Sequence, residues 1–261
     1  MGRQSRWAGV ILFLALAVQS GSAQEITVAA ASDLQFAIQD VAARFQKETG
    51  KKINLIFGSS GNFFTQIQNG APFDLFFSAD IEYPQKLEAA GLAEPGTLYR
   101  YAAGKIVLWA PNGSKLDLSR GLQVLLDPRI RKIAIANPAH APYGRAAVAA
   151  LRYEKLYDPI STKLALGENI SQTASFVVAG SADVGIVALS LALAPSLRDK
   201  GRYVEIPVDE YPPLEQAAVI LKSSQNKETA RQFVAFMKTP PILDLLRTYG
   251  FSVPSGVASG K

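Results

Sequence analysis

Four short turns in this sequence place small or hydroxyl-bearing residues between an apolar run and a helical pattern. They are Ala31-Ser32-Asp33, Ser59-Ser60-Gly61, Pro142-Tyr143-Gly144 and Asn169-Ile170-Ser171. The first N–H groups of a helix have no intrahelical partner and carry the positive end of the helix dipole, so they attract anions. Small residues let an anion approach the backbone closely. The turns therefore suggest an oxyanion site, but ordinary capped helices contain the same residues, and both interpretations stay open here.

The first turn lies within the stretch 26–45, which we take as the start of the fold. Ile26–Ala30 is an apolar run that predicts a strand. Beyond the turn, apolar residues recur at helical spacing and predict one buried stripe, made of Leu34, Ile38, Val41 and Phe45. We expect Ser32 or Asp33 to be the N-cap of this helix.

The rest of the chain alternates between strand and helix patterns. Further strands are predicted at 52–57, 74–78, 105–110, 133–136, 163–166, 184–188, 203–208 and 217–221, and a helix is predicted at 118–126. Two helices are expected after the last strand, with Gly250 as a C-cap. This alternation predicts an α/β protein with mostly parallel sheets flanked by helices.

The order of these elements predicts two lobes joined by two crossing segments. Lobe 1 is expected at 24–104 plus 212–261, and lobe 2 at 105–211. Two of the four turns fall in each lobe. A ligand is therefore expected in the cleft between the lobes, where donors from both sides would meet on it.

Residues 1–23 are predicted to be a signal peptide, which implies an exported protein. Arg3 and Arg6 precede the apolar run Trp7–Val18, and Gly21-Ser22-Ala23 supplies small residues for cleavage. No later segment approaches the roughly 20 continuous apolar residues of a membrane helix. The remaining part of about 238 residues has no cysteine, which excludes a lipid anchor on cysteine, and a formal charge of about +3 is too mild to indicate nucleic-acid binding.

Catalytic and metal chemistry find few candidate residues. The only histidine is His140, and Gly58-Ser59-Ser60-Gly61 is one residue short of a G-x-S-x-G elbow. Without cysteine, a zinc or copper site would depend on carboxylates and tyrosines that lack suitable spacing. No P-loop or G-x-G-x-x-G motif is present, so we expect no cofactor. A secreted hydrolase remains the alternative from another class.

Several motifs, in the same order along nearly the whole mature chain, resemble the molybdate-binding proteins of bacterial ABC importers, which have the type II periplasmic binding fold. They are ITVAAAS (Ile26–Ser32), the turn at Ser59 and Ser60, NGAPFDLFFSAD (Asn69–Asp80), NPAHAPYG (Asn137–Gly144), GENIS (Gly167–Ser171), VGIV (Val184–Val187) and YGF (Tyr249–Phe251).

The resemblance implies a monomeric, non-catalytic binding protein that delivers a tetrahedral oxyanion to a membrane ABC permease. The anion, molybdate or tungstate, would be held by the hydroxyl and amide of Ser32, those of Ser60, and the amides of Tyr143 and Ile170. The same residues would contact molybdate through its oxygen atoms, with no direct cation ligand. Phosphate or sulfate is the alternative ligand.

Two positions depart from the pattern that the resemblance implies. Relatives often donate a tyrosine hydroxyl from the position of Ala188. Either Tyr143 or a neighbour replaces it here, or the ligand is slightly different. Asp33 puts a carboxylate beside the expected anion. Phosphate keeps a proton near neutral pH and favours such an acceptor, whereas molybdate, tungstate and sulfate need only donors. We expect Asp33 to turn away and interact with the helix start; a side chain facing the cleft would favour phosphate.

Overall fold

The computed structural model describes residues 25–254, so the predicted signal peptide at 1–23 lies outside the described residues. Ten strands are described: β1 (Glu25–Ala31), β2 (Lys52–Gly58), β3 (Leu75–Ser78), β4 (Tyr99–Gly104), β5 (Ile106–Pro111), β6 (Ile133–Ala136), β7 (Leu164–Gly167), β8 (Val184–Ala188), β9 (Gly201–Glu205) and β10 (Leu214–Ile220).

The α-helices are α1 (Gln35–Thr49), α2 (Ser60–Gln68), α3 (Glu82–Ala89), α4 (Pro142–Tyr153), α5 (Tyr157–Ile160), α6 (Ile170–Val178), α7 (Leu189–Ala192), α8 (Lys227–Met237) and α9 (Pro240–Thr248). Segments of 3₁₀ helix occur at Ser32–Leu34, Leu118–Leu126 and Ser161–Lys163.

The strands form two five-stranded sheets of the same design. Their orders are β2-β1-β3-β10-β4 and β7-β6-β8-β5-β9. In the first sheet β2, β1 and β3 are parallel, and β10 runs antiparallel to both of its neighbours. In the second, β5 is the reversed strand. The predicted α/β class is therefore confirmed, with one reversed strand in each otherwise parallel sheet.

The chain passes between the sheets twice. It crosses first at Lys105, between β4 and β5, and returns through residues 206–213, between β9 and β10. We call the part around the first sheet lobe 1 and the part around the second sheet lobe 2. The lobe boundaries expected from the sequence, at 104/105 and 211/212, stay predictions.

One strand was not predicted, and one predicted helix was wrong. Tyr99–Gly104 is a strand, β4, that the sequence analysis did not predict. Residues 118–126 form a 3₁₀ segment rather than an α-helix, and the segment is interrupted at Gly121, whose φ of 57° lies in the left-handed region. By contrast, Gly250 follows α9 with a φ of 79°, as expected for a glycine that ends a helix.

Three clusters of buried apolar side chains hold the lobes together. One lies between the first sheet and helices α1, α8 and α9, where the predicted stripe of α1 is fully buried and Phe45 meets Phe233 edge to face at 5.2 Å. A smaller one lies under α2 and α3. The largest is the core of lobe 2, and it also includes Ala31 and Ala79 of lobe 1. The lobes are therefore in contact at the ends of β1 and β3.

Candidate oxyanion-binding site

The four turns predicted from the sequence all lie at the start of a helix. Ser32 opens the 3₁₀ turn that leads into α1, Ser60 opens α2, Tyr143 is the second residue of α4, and Ile170 opens α6. All four residues are buried, with exposed fractions between 0 and 3 %. Two turns belong to each lobe, so the arrangement brings helix N-termini together from both sides.

The first and fourth turns are joined directly. The amide of Ser171 donates to Ser32 Oγ at 3.4 Å, and Ser171 Oγ lies 3.2 Å from the carbonyl oxygen of Ser32 and 2.7 Å from Gln35 Oε1. These contacts link the start of α6 in lobe 2 with the end of β1 in lobe 1.

The second and third turns are joined through the loop before α4. The amide of Gly61 donates to the carbonyl oxygen of His140 at 2.9 Å, and Ser59 Oγ lies 2.9 Å from His140 Nδ1. A Cβ atom at Gly61 would stand 2.7 Å from that carbonyl oxygen, so a glycine is needed for this close approach. The structure is therefore a closed form, in which all four turns are connected across the lobes.

The two serine hydroxyls keep their protons available for a ligand. Ser60 Oγ accepts a hydrogen bond from the amide of Ala79 at 2.9 Å, and Ser32 Oγ accepts one from Ser171. Neither hydroxyl donates to an acceptor within residues 25–254. A hydroxyl that accepts from a backbone N–H can still donate its own proton. Both serine hydroxyls are therefore held in place, and their protons have no acceptor among the described residues.

The predicted N-cap at Ser32 or Asp33 was wrong. Ala31 precedes the first helical turn, and no side chain caps it. Ser32 and Asp33 lie inside the turn and are both buried. Because Ser32 Oγ is engaged with Ser171 of lobe 2, it does not fold back on its own helix as a cap would.

The carboxylate of Asp33 lies in the seam between the lobes. Its Oδ2 accepts a hydrogen bond from the hydroxyl of Tyr143 at 3.1 Å and another from Gln216 Nε2 at 2.7 Å. The hydroxyl of Tyr101 donates to Gln216 Oε1 at 2.7 Å, and Ser190 Oγ donates to the backbone carbonyl of Asp33 at 2.7 Å. Asp33 therefore ties β10, α4 and α7 to the start of α1, a role that the sequence analysis did not anticipate.

Burial dominates the electrostatics of this network. Desolvation raises the pKa of Asp33 to about 7, and the hydrogen bonds from Gln216 and Tyr143 offset only part of that effect. The amides of Asp33 and Leu34 also lower this pKa, as expected for a carboxylate at a helix start. Burial and the nearby Asp33 charge raise the pKa of Tyr143 well above its usual range, so the phenol stays protonated.

Comparison with known proteins identifies the family of the chain. The model of the bacterial extracellular solute-binding protein family matches residues 26–252. The chain belongs to this family. Relatives within it include the molybdate-binding protein ModA of Rhodobacter capsulatus, 36 % identical over 93 % of this chain and 92 % of the relative, and ModA of Azotobacter vinelandii, 37 % identical over 94 and 96 %.

A solved structure of the family has the same fold. The periplasmic molybdate-binding protein of Azotobacter vinelandii superimposes with a TM-score of 0.83 and 35 % identity, covering 88 % of this chain and all of that one. Within residues 25–254 no helix is long and apolar enough to cross a membrane, and no cluster of three or more His, Cys, Asp or Glu residues could hold a metal ion.

Two positions singled out in the sequence, Ala188 and Tyr143, can be placed in the structure. Ala188 is buried at the end of β8 and has no hydroxyl to donate. Tyr143 was expected to supply that hydrogen bond, but its hydroxyl proton is directed at Asp33. That proton is engaged with Asp33, and replacement of the missing hydroxyl by a neighbour of Tyr143 stays a prediction.

Polar contacts also close the rim of the cleft. Arg145 of α4 pairs with Asp80 and donates to the hydroxyl of Tyr83 at 3.3 Å, and Asn62 of lobe 1 donates to Glu168 of lobe 2. The arginine side chain is 41 % exposed, so this pair contributes at most about 1 kcal/mol. These contacts favour the closed form without preventing the lobes from opening.

The sequence analysis missed Gln216 and Tyr101. Gln216 is fully buried at an irregularity of β10, and Tyr101 lies on β4, the strand that was not predicted. Gln216 lies just before the predicted strand 217–221 and follows the charged Glu215, so no signal in the sequence indicates that its amide is buried and hydrogen-bonded.

Proposed function

We propose that this chain captures a tetrahedral oxyanion, molybdate or tungstate, between its two lobes and delivers it to a membrane ABC importer. The main support is that four helix starts, two from each lobe, meet at buried residues. Two serine hydroxyls at these starts, those of Ser32 and Ser60, accept a backbone hydrogen bond but donate to no acceptor among the described residues. The choice of anion rests on the relatives named as molybdate-binding proteins, which match almost the whole chain.

In the proposed site the protein supplies only hydrogen-bond donors to the anion. The hydroxyls and amides of Ser32 and Ser60 and the amides of Tyr143 and Ile170 would surround the oxygen atoms of the anion. Each charge-assisted hydrogen bond contributes about 1.5 to 3 kcal/mol, and several are needed because desolvation of a dianion is costly. No cofactor, nucleic acid or second copy of the chain takes part in this proposal.

Transport follows from a difference in affinity between the open and closed forms. Ser32 and Ser60 lie in lobe 1, and Tyr143 and Ile170 lie in lobe 2. All of the donors meet only when the lobes close, so the anion binds the closed form better and shifts the population toward it. A periplasmic location and recognition of the closed form by the permease are part of the same proposal.

Phosphate stays the alternative because the carboxylate of Asp33 lies in the seam between the lobes. A carboxylate there can accept the proton of hydrogenphosphate, which molybdate lacks.

The hydrolase alternative also has one specific observation, the 2.9 Å contact of Ser59 Oγ with His140 Nδ1. The other ring nitrogen of His140 lies 3.6 Å from a half-exposed Glu168, too far for a hydrogen bond that would orient a catalytic base. Ser59 is 4 % exposed, so this contact fits a link between the lobes better than a nucleophile.

Calorimetric titration at pH 7 with molybdate, tungstate, sulfate, phosphate and chromate tests the proposal. We expect molybdate and tungstate to bind at about micromolar Kd or tighter, which corresponds to about −8 kcal/mol or better, and sulfate to give no heat. A response to phosphate alone would replace the proposed ligand, and no response to any of the five would overturn the proposal.

A further inference from the structure

The two oxygen atoms of the Asp33 carboxylate have very different surroundings. Oδ2 accepts two hydrogen bonds, from Tyr143 and Gln216. Oδ1 is buried and has no hydrogen-bond partner among the residues that the structure describes. A buried carboxylate oxygen without a partner is costly, so this atom calls for an explanation.

The surrounding network fixes which oxygen would carry a proton. The Tyr101 hydroxyl lies 2.7 Å from Gln216 Oε1 and 3.2 Å from the carbonyl oxygen of Ser78. Its proton goes to the nearer acceptor, which orients Gln216 Nε2 toward Asp33. The Tyr143 hydroxyl accepts a hydrogen bond from Gln216 Nε2 at 3.0 Å. It therefore donates its own proton to Asp33 Oδ2. Both donors meet Oδ2, so a proton on the carboxyl group belongs on Oδ1.

Within residues 25–254, no cation near Asp33 offsets its burial. The titratable groups that face it are Tyr143 on α4 and Tyr101 on β4, with Asp80 near Tyr101. The nearest cation to Asp80, Arg145, is paired with Asp80 itself, and no lysine or arginine among the described residues bonds to Asp33. Burial already moves the pKa of Asp33 close to neutrality.

An anion at the proposed site would strengthen this preference. Asp33 directly follows Ser32, whose undirected hydroxyl proton is one of the proposed donors. A dianion held by Ser32 would lie beside an ionised Asp33 without a cation between them, and the like charges would repel. The expected set of donors also lacks one, because the Tyr143 hydroxyl is used by Asp33.

We propose that Asp33 meets the bound oxyanion as a neutral carboxylic acid that donates its Oδ1 proton, so that molybdate binding takes up a proton from solvent wherever the carboxyl group of the free chain is ionised. This inference rests on the proposed function and adds a residue that determines specificity. The bond formed is a hydrogen bond from the Oδ1–H group to an oxygen of the anion. The only other change is the protonation of the carboxylate, so the site gains one proton with the dianion.

Proton uptake distinguishes this arrangement from phosphate capture. Hydrogenphosphate brings its own proton and would donate it to an ionised Asp33, so its binding would take up none. Molybdate is fully deprotonated near neutral pH and leaves the proton to be supplied by solvent. The two anions are therefore expected to differ in proton uptake: molybdate binding takes up a proton, and hydrogenphosphate binding takes up none.

The test is calorimetric titration of the mature chain with molybdate at pH 8, in buffers of different ionisation enthalpy. With the pKa of about 7 that Asp33 has in this closed form without ligand, we expect about 0.9 protons taken up per anion at pH 8. From pH 6 to pH 9 the Kd should rise about 100-fold. Asp33→Asn places an amide donor at the Oδ1 position, and its uptake should be near zero with a Kd that hardly changes with pH.

Asp199→Asn is the matched control, since the Asp199 side chain is 85 % exposed on lobe 2. This variant should keep the proton uptake and pH profile of the parent chain. Tight binding of molybdate without proton uptake, or an Asp33→Asn variant with the parent's pH profile, would overturn the proposed role of Asp33. Absence of molybdate binding to the parent chain at both pH 6 and pH 8 would instead overturn the proposed function.

Discussion

Removing the hydroxyl of Ser60 should produce two separable effects. Ser60 Oγ accepts the amide of Ala79 at 2.9 Å, and its own proton is proposed to reach the anion. Ser60→Ala therefore leaves a buried N–H without a partner and deletes a donor to the ligand. The first loss belongs to the fold and the second to binding.

The size of each effect follows from where the two groups lie. Ser60 and Ala79 are both in lobe 1, so their hydrogen bond exists in the open and the closed form and its loss cancels from the affinity. We expect the free energy of unfolding to fall by about 1 to 3 kcal/mol, because a buried N–H becomes unsatisfied. Loss of a charge-assisted hydrogen bond should weaken molybdate binding by about 1.5 to 3 kcal/mol, or about 10- to 150-fold.

The assays are urea unfolding without ligand and calorimetric titration with molybdate. Trp109 is buried in the core of lobe 2 and is the only tryptophan beyond residue 23, so its fluorescence reports unfolding of that lobe. Circular dichroism reports both lobes. Ser175→Ala is the matched control, because this exposed serine donates only to its own helix, at the carbonyl oxygen of Ser171. An affinity equal to that of the parent, alongside the expected loss of stability, would refute the proposed contact with the anion.

Three further predictions concern the same seam. Ser32→Ala should weaken molybdate binding by about 1 to 3 kcal/mol in calorimetry, and an unchanged Kd would remove Ser32 from the site. Gly61→Ala places a Cβ 2.7 Å from the His140 carbonyl oxygen, which obstructs closure of the lobes. Small-angle scattering with saturating molybdate should therefore show lobes that stay apart in this variant. The control variant Gly113→Ala has open space around its Cβ, and its lobes should close as in the parent. The free energy of unfolding of Asp33→Asn, relative to that of the parent, should rise by about 4 kcal/mol between pH 4 and pH 7.5, measured by urea unfolding without ligand. A difference that does not change with pH would contradict the buried-acid assignment.

The sign of the last prediction comes from the raised pKa of Asp33. Between 3.8, the ordinary value, and about 7, the folded chain holds a proton that the unfolded chain has released. The unfolded state therefore binds fewer protons, and the contribution of Asp33 to the free energy of unfolding falls as pH rises through this range. Asparagine does not titrate, so comparison of the two proteins isolates this contribution from those of other carboxylates.

The sequence predicted most of the elements because each has a clear local pattern. The stripe of α1 and the fully apolar strand β8 are recognisable from spacing and composition alone, and both were confirmed. Tyr99–Gly104 was missed because its alternation is weak and it contains a polar residue and a glycine. The 3₁₀ segment at 118–126 has an apolar pattern that resembles an α-helix, and the pattern gives no warning of the backbone turn at Gly121.

The candidate site was predictable only in part for a related reason. Helix starts with small residues can be found locally, and the four turns lie where expected. Contacts across the seam join residues far apart in the chain: Asp33 is 110 positions from Tyr143 and 183 from Gln216. No local pattern encodes such pairs, so the network around Asp33 and the use of the Tyr143 hydroxyl required the structure.

The most direct test of the central claim is an X-ray structure of the mature chain with tungstate, with the metal located by its anomalous scattering. We expect one strong anomalous peak between the starts of α2, α4 and α6 and the 3₁₀ turn before α1. Oxygen atoms of the anion should lie about 2.7 to 3.2 Å from Ser32 Oγ and Ser60 Oγ. A peak outside this seam, or an anion in the seam that contacts neither serine, would contradict it.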